Sequence, residues 1–226
     1  RLVSHHKFNE AKNLMDLLAC AESGKTVVLI SDAGTPCISD PGYKLIEKAH
    51  ERGIPVRVVP GPSSVIAAAS VSGFDCSSFT FLGFLPRKQE ELIRLFESAG
   101  EFKGAVIFLE SPQRIRDTLA CLKDLLSPET KLCLCKEMSK KYESISCGTL
   151  GEMEERLSTM EVLGEWVCLL DRLVFKHEVK TPAQLSVEEV AAYFNLPRSK
   201  ASKIISLITG KSRKEIYASS IPTLDQ

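Results

Sequence analysis

The feature that most constrains the fold is the alternation of short apolar runs with segments of helical periodicity. Residues 26–30 (TVVLI) form a continuous run of β-branched and aliphatic side chains, which is typical of a strand buried on both faces. Residues 9–23 repeat apolar side chains at helical spacing before it, and residues 56–59 repeat the strand pattern after it. Asp40 and Pro41 stand where an N-cap and a first helical residue belong. This alternation predicts an α/β fold.

The second half of the chain has more strand patterns and more direct strand-to-strand connections, so we expect a mixed sheet there. The predicted strands lie at residues 105–109, 131–136, 143–147 and 166–170. A polar stretch without apolar periodicity predicts a linker, and the Ser-x-x-Glu capping box at Ser186 opens the first of three short helices, the others at 198–209 and 212–218. The predicted organisation is an α/β domain over 1–75, a second over 76–171, a linker over 172–181 and a small helical tail over 182–226.

Composition excludes several classes of protein. The 226 residues are 44% hydrophobic and 26% charged, as in an ordinary soluble globular protein. No apolar run approaches the roughly 20 residues that cross a bilayer. The eight cysteines lie in apolar stretches without a C-x-x-C pair, so we expect reduced core thiols, a cytoplasmic location and no metal site. Because the chain begins at Arg1 without Met, we expect the native start to lie upstream.

Charge is unevenly placed along a chain whose formal net charge is zero. Residues 172–226 hold nine Lys or Arg against five acids, a net of +4, which leaves −4 in the remainder. A basic tail favours an acidic partner such as nucleic acid. A chance fluctuation of charge along the chain is the alternative.

Two loops follow the predicted strands of the first half. The loop at 30–42 (ISDAGTPCISDPG) gathers two carboxylates, hydroxyls and glycines, and PGPSS follows at 60–64. In open α/β sheets ligands bind outside the carboxyl ends of strands, so both loops are candidate binding loops. The alternatives are that Asp40 is only an N-cap, Gly34 only a turn, and PGPSS only a connection. Neither a Rossmann fingerprint nor a P-loop motif is present.

Four further motifs follow these loops in order: GFLPRK at 83–88, ESPQR at 110–114, KEMSKKYES at 136–144 and GEWVCLL at 164–170. The whole series resembles the ribosomal RNA small subunit methyltransferase I family, within the tetrapyrrole-methylase superfamily. The resemblance covers residues 1 to about 171 and, more loosely, the tail.

The resemblance implies two α/β domains of tetrapyrrole-methylase type that clasp S-adenosyl-L-methionine between them, usually in a homodimer. It implies transfer of a methyl group to the ribose 2′-hydroxyl of a cytidine in 16S rRNA of the small ribosomal subunit. It places the cofactor at Asp32, Ala33, Gly34, Thr35, Ser63 and Ser64. A porphyrinoid methylase and a non-catalytic RNA-binding protein are the alternatives.

The chain departs from the family pattern in two ways. The family opens with a strand and a GTPIGN-like loop, and nothing before Arg1 matches them, so we expect the first domain to be N-terminally truncated and this chain to be a weak enzyme with exposed strand edges. Lys136 and Gln113 also stand where Arg and usually His are expected.

Methyl transfer to a weakly acidic hydroxyl profits from a general base or a nearby cation. The catalytic candidates in the matching motifs are Glu110, Lys136 and Glu137, with a structural ion-pair network as the alternative. Basic side chains predicted to contact RNA phosphates are Arg87, Lys88, Arg114, Lys140 and Lys141, with solvated surface as the alternative.

The tail has two interpretations. It docks RNA through Arg198, Lys200, Lys203, Lys211, Arg213 and Lys214, or it packs on the core or a dimer partner through Val190, Phe194, Ile204, Ile205, Leu207 and Ile208.

Overall fold

A computed structural model describes residues 1–6, 8–176, 186–193, 196–212 and 215–216. The chain divides into two compact units, Arg1–Lys176 and His177–Gln226. The helices of the first unit are α1 (Glu10–Glu22), α2 (Tyr43–Glu51), α3 (Ser64–Val71), α4 (Gln89–Ala99), α5 (Ile115–Leu125) and α6 (Leu150–Thr159). Its strands are β1 (Phe79–Phe84), β2 (Ala105–Glu110), β3 (Lys131–Lys136), β4 (Ser144–Thr149) and β5 (Trp166–Leu170). The second unit contains α7 (Val187–Tyr193) and α8 (Arg198–Thr209).

The five strands form one mixed sheet in the order β1-β2-β5-β3-β4. β1 pairs parallel with β2, and the β2–β5, β3–β5 and β3–β4 ladders are antiparallel. The prediction of a mixed sheet in the second half is confirmed. Because β2 and β3 both run antiparallel to β5, β1, β2 and β3 share one direction and their carboxyl ends lie at one edge.

Helices cover both faces of this sheet. Alternate residues of the strands, such as Phe108 and Leu134, pack with α4, α5 and α6 in the larger core. Residues of the other parity, such as Ile107 and Cys133, pack on Val65 and Ala68 of α3. The last helix before residue 75 therefore contributes to the core of the sheet, and a domain boundary near that residue stays a prediction.

The strands predicted at 26–30 and 56–59 are wrong. Neither segment joins a ladder, and their β-branched side chains are open to solvent, with Val28 75% and Val58 83% exposed. A β-strand exists only by pairing, and no partner strand lies beside these segments in the described part of the chain. Both segments have the apolar pattern of a strand but lack a partner strand among the described residues.

Helix α2 begins later than the sequence predicts. Its N-cap is Gly42, at a φ of 128°, and Asp40 and Pro41 precede the helix. The backbone N–H of Gly42 donates to the buried carboxylate of Glu10 over 3.0 Å, which ties the end of the 30–42 loop to the start of α1. A contact between residues 32 positions apart decides this helix start, and the local cap signal does not.

Helix α4 was not predicted from the sequence. The sequence does contain a helical pattern, because Leu92, Phe96 and Ala99 recur at helical spacing and Glu90 and Glu91 occupy the first turn. The three apolar residues are all buried in the structure. This helix makes the crossover between the parallel strands β1 and β2, a connection that such pairs require.

Beyond β5 the chain stays packed on the first unit up to residue 176. The backbone N–H of Ser127 donates to the oxygen of Val174 over 2.6 Å, and Phe175 packs against the larger core. Residues 177–185 of the predicted linker and tail lie outside the described residues.

The second unit has a small core of its own. The predicted capping box is confirmed, since the Ser186 hydroxyl accepts from the Glu189 N–H and the Glu189 carboxylate accepts from the Ser186 N–H. Val187, Val190, Ala201, Ile205 and Ile216 are buried together. The predicted helix at 212–218, together with Phe194, Arg213 and Lys214, falls largely outside the described residues. In the part of the chain that the structure describes, no helix is long and apolar enough to cross a membrane.

Candidate functional site

Three of the sequence motifs meet at the carboxyl edge of β1, β2 and β3. GFLPRK lies at the end of β1, ESPQR at the end of β2 and KEMSKKYES at the end of β3. Since these strands run in the same direction, the motifs occupy one edge of the sheet. Loops at the carboxyl ends of parallel strands are the usual ligand sites of α/β folds.

The 30–42 loop reaches this region through Ser39. A Cβ built on Gly83 of β1 would lie 3.3 Å from the Ser39 hydroxyl oxygen, so the loop lies against the strand there. Ser39 has a φ of 61° and Cys37 a φ of 70°, conformations that side-chain-bearing residues rarely adopt. The loop backbone is held in a specific, strained shape, as is common where a backbone is built for binding.

The two candidate cofactor loops are joined by a hydrogen bond. The Thr35 hydroxyl donates to the backbone oxygen of Pro62 over 3.1 Å, and the Ser31 hydroxyl lies 3.2 Å from the oxygen of Ala33. Ser63 is the N-cap of α3 and accepts from the Ile66 N–H over 3.5 Å. The structure therefore brings Thr35 and the PGPSS turn together.

The rest of the cofactor set lies open on the surface. Asp32, Ala33 and Gly34 are exposed, and nothing lies within 4 Å of a Cβ built on Gly34, whose φ is 77°. Ser64 is the first residue of α3. A free carboxylate beside small residues and open backbone fits a ligand with hydroxyl or amine donors, and the helix start offers N–H groups. The assignment of these residues to the cofactor stays a prediction.

Glu110, a catalytic candidate, is held in a closed network. It is 1% exposed, and its carboxylate accepts from the Ser111 N–H and from the Thr118 hydroxyl, each over 2.8 Å. The Arg114 guanidinium lies 3.4 Å from the same carboxylate. A buried charge is tolerated when it is paired and hydrogen-bonded in this way. Thr118 was not predicted from the sequence, because its contact with Glu110 joins β2 to α5 across eight residues and no local spacing indicates it.

Arg114, an RNA-contact candidate, is occupied by the protein itself. Its guanidinium donates to the backbone oxygens of Leu85 over 3.0 Å and Pro86 over 2.7 Å. Together with Glu110 it ties the ESPQR turn to the GFLPRK turn. These bonds orient the segment that ends in Arg87 and Lys88.

Glu137 stands in a second network at the same edge. Its carboxylate accepts from the Glu165 N–H over 2.8 Å and from Lys140 over 3.1 Å, and Lys140 also pairs with Glu165 over 2.9 Å. These partners hold the pKa of the Glu137 carboxyl below its usual value, the Glu165 N–H being the largest influence. A Cβ on Gly164 would lie 2.5 Å from the Glu137 side chain, so only glycine fits there. Gly164 and Glu165 belong to the GEWVCLL motif, but their contacts with Glu137 were not predicted from the sequence.

Lys136 and Glu110 lie in one row across the sheet. Trp166 of β5 pairs with Glu110 on one side and Lys136 on the other, so these side chains project on the same face. Two strand spacings separate the outer positions by about 10 Å. Lys136 lies over the Trp166 ring, 5.8 Å from its centroid. This face carries α4, α5 and α6, whereas Ser63 begins the helix on the opposite face.

The other basic candidates differ in how they are engaged. Lys88 forms an exposed pair with Glu91 over 3.1 Å, and Arg87 is exposed. Lys141 is exposed beside the Tyr142 ring at 5.3 Å, whereas Lys140 is bound by two carboxylates. Arg87, Lys88 and Lys141 are thus better placed for an external anion than Arg114 or Lys140.

Comparisons with known proteins agree with this architecture. A family model described as Tetrapyrrole (Corrin/Porphyrin) Methylases matches residues 3–154, more than half of the chain. The crystal structure of the methyltransferase CobJ, 21% identical, covers 72% of this chain and 71% of its own with a TM-score of 0.55. Uroporphyrin-III C-methyltransferase from Thermus thermophilus, complexed with S-adenosyl homocysteine, is 20% identical, with a TM-score of 0.50 and coverage of 72% and 73%. The class defined by the fold and the family model is therefore the tetrapyrrole methylases.

Relatives identified by sequence show which family of tetrapyrrole methylases the chain belongs to. Ribosomal RNA small subunit methyltransferase I of Mesorhizobium japonicum is 32% identical over 96% of this chain and 74% of its own length. The protein of that name from Halalkalibacterium halodurans is 35% identical over 96% of this chain and 76% of its own. The chain belongs to the ribosomal RNA small subunit methyltransferase I family.

Proposed function

We propose that this chain transfers a methyl group from S-adenosyl-L-methionine to the ribose 2′-hydroxyl of a cytidine in 16S rRNA. One observation carries the proposal: the loops at the carboxyl ends of β1, β2 and β3 gather the family motifs at one edge, and Ser39 brings the 30–42 loop to that edge. Relatives at 32% and 35% identity that are named for ribosomal RNA support RNA as the acceptor. The methyltransferase CobJ and uroporphyrin-III C-methyltransferase are less similar, at 21% and 20% identity.

The residues of the joined loops would hold the cofactor. Asp32 would accept hydrogen bonds from it, Gly34 would admit it closely, and the turn at Ser63 and Ser64 would face it beside the start of α3. When bound, S-adenosyl-L-methionine supplies an electrophilic methyl group. Methyl transfer is an in-line displacement, so most of the catalysis comes from holding the acceptor oxygen in line with that group.

Of the catalytic candidates, Lys136 is the one that forms no ion pair with a carboxylate among the described residues. Its described contact is with the Trp166 ring, and its cation would stabilise the oxygen of the ribose as the proton leaves. Glu137 and Glu110 act as positioning residues, because their carboxylates are already bound by Lys140 and Arg114. Arg87, Lys88 and Lys141 would contact phosphates without reading sequence.

The second unit would add affinity for RNA. Lys200, Lys203 and Lys211 are exposed on or beside α8, and Leu207 and Ile208 are 77% and 57% exposed. Val190 and Ile205 are buried in the unit's own core, so they are not the residues of an external packing surface. We further propose that the protein acts as a homodimer in the cytoplasm, on the small ribosomal subunit.

The test is transfer of a labelled methyl group from S-adenosyl-L-methionine to two acceptors, small ribosomal subunits that lack the modification and a precorrin. We expect label in RNA at a cytidine that becomes resistant to alkaline cleavage on its 3′ side, since that cleavage needs a free 2′-hydroxyl. Label in the precorrin and none in RNA would contradict the proposal. Binding of RNA without any transfer would favour the non-catalytic alternative.

A further inference from the structure

Two cysteines face each other across the β3–β4 hairpin. Cys133 and Cys147 are directly opposite in the antiparallel ladder, and their Sγ atoms are 2.6 Å apart. Opposite Cα atoms in such ladders are about 4.5 or 5.5 Å apart, and disulfides form across about 4.4 to 6.8 Å. The backbone therefore needs no rearrangement for a bond between these two sulfurs.

A competing partner is present but badly placed. Cys135 Sγ lies 3.9 Å from Cys133 Sγ, yet both residues belong to the same strand. Residues two apart on an extended strand have Cα atoms about 6.6 to 6.8 Å apart, at the limit of the disulfide range. Cys147 is the better partner for Cys133.

The pair is reachable from one side. Cys147 is exposed, whereas Cys133 is buried beneath α3. Cys147 Sγ lies 3.7 Å from the backbone oxygen of Ser72, at the end of that helix. An oxidant would therefore meet Cys147 first and Cys133 second.

The position of the pair matters because of what the hairpin carries. β3 and β4 are joined by residues 137–143, which include Glu137, Lys140 and Lys141. Among the strands that the structure describes, β4 lies at an edge of the sheet and pairs with β3 alone. A disulfide between Cys133 and Cys147 would hold β3 and β4 together covalently, and these two strands carry the loop at residues 137–143.

We propose that Cys133 and Cys147 are a redox-sensitive pair, which a hydroperoxide closes to a disulfide that fixes the hairpin carrying residues 137–143. The Cys147 sulfur attacks one peroxide oxygen, the O–O bond breaks, and the leaving oxygen takes the thiol proton to become water or alcohol. The Cys133 sulfur then attacks the sulfenic sulfur of Cys147, the S–O bond breaks, and hydroxide leaves with the Cys133 proton as water. Two thiols are oxidised by two electrons, and the hydroperoxide is reduced.

Reaction is expected to be slow. Although Cys147 is exposed as a residue, partial desolvation of its sulfur and the neighbouring Cys133 thiol raise its pKa to about 12, so little of the reactive thiolate exists at neutral pH. The pair is suited to sustained oxidative exposure and not to rapid signalling.

The test is peptide mapping of the intact chain after hydrogen peroxide treatment and blocking of free thiols. Cleavage after Lys and Arg leaves Cys133 and Cys135 on one peptide, residues 132–136, and Cys147 on another, residues 142–156. We expect these two peptides to be linked without reductant and separate with dithiothreitol. The oxidised chain should have a melting temperature roughly 5 to 10 °C higher than the reduced chain. A disulfide between Cys133 and Cys147, which are 14 positions apart, restricts the conformations of the unfolded state.

Matched variants identify the sulfurs. Cys135→Ala should keep the link and the shift in melting temperature, and so should Cys121→Ala, whereas Cys147→Ser and Cys133→Ala should lose both. Since Cys147 is exposed, its serine variant is expected to fold, which a circular dichroism spectrum checks. Persistence of the link in Cys133→Ala would overturn the proposal. So would reduced thiols, or Cys147 oxidised to sulfinic acid without a link. None of these measurements needs cofactor or RNA, so they are independent of the proposed methyl transfer.

Discussion

The hydroxyl of Thr35 donates a hydrogen bond to the backbone oxygen of Pro62 over 3.1 Å and so joins two loops whose residues are 27 positions apart in the chain. In the sequence, each of these loops, at 30–42 and 60–64, could be a simple connection between regular elements. Asp32 and Gly34, which precede Thr35 in the first of these loops, are exposed and open to a ligand.

Replacing Thr35 by valine should weaken binding of S-adenosyl-L-methionine by about 0.5 to 1.5 kcal/mol, the usual net value of one hydrogen bond. Valine keeps the shape and removes the hydroxyl, while Thr35→Ser keeps the hydroxyl and should retain most of the affinity. Isothermal titration calorimetry on the three proteins measures the difference. Equal affinities for the valine and serine variants would show that the loop contact is irrelevant to the ligand.

Asp32→Ala should weaken cofactor binding by about 1 to 3 kcal/mol, because a charge-assisted hydrogen bond would be lost from an otherwise free carboxylate. Asp16→Ala is the matched control, since Asp16 is an exposed carboxylate in the middle of α1 and belongs to neither loop. The same calorimetric titration applies. An unchanged affinity in Asp32→Ala removes this residue from the site.

Arg114→Ala should lower the free energy of unfolding by about 1.5 to 3 kcal/mol, because it removes the cation beside the buried Glu110 carboxylate and leaves the Leu85 and Pro86 carbonyl oxygens without this donor. Arg94→Ala removes an exposed pair with Glu90 and should cost within about 0.5 kcal/mol. Urea denaturation compares the two. If Arg114 instead serves mainly as a phosphate contact, its variant will be stable and will show only a smaller salt dependence of RNA binding.

Stability should fall in acid in a way that depends on Glu137. Its pKa is lowered from the usual 4.5 in the folded state, so its contribution is complete above about pH 4.5 and is lost as the pH falls through the folded value. Glu137→Gln removes the titrating group and should flatten the decline of the melting temperature below about pH 4.5. A parallel decline in both proteins would mean that other carboxylates control acid unfolding.

Lys200→Ala combined with Lys203→Ala should weaken RNA binding and reduce the slope of log affinity against log salt by roughly 1.4 to 1.8, as expected for two lost phosphate contacts. Cofactor affinity should be unchanged. Lys48→Ala, which removes an exposed lysine paired with Glu51, is the control and should leave the slope as it is. Loss of cofactor binding with intact RNA affinity would refute a docking role for the second unit.

Much of the architecture was predictable because its signals are local. The strands β2, β3 and β5 coincide with apolar runs, the helix α8 begins and ends at the predicted residues, and the capping box at Ser186 forms as its spacing indicates. The motif series also predicted the family. In each case the information lies within a few consecutive residues or in their order along the chain.

Pairing and side-chain partnership were decided by the tertiary structure. Residues 26–30 carry a strand pattern but form no strand. A strand requires hydrogen bonds to a neighbouring strand, and the sequence of one segment does not show whether such a neighbour is present. Glu110 and Arg114 suggested chemistry in the sequence, yet the fold pairs them with each other, and Arg114 also donates to the Leu85 and Pro86 carbonyl oxygens. The pairing of Cys133 with Cys147 has the same origin, since the register of β3 against β4 sets which sulfurs meet.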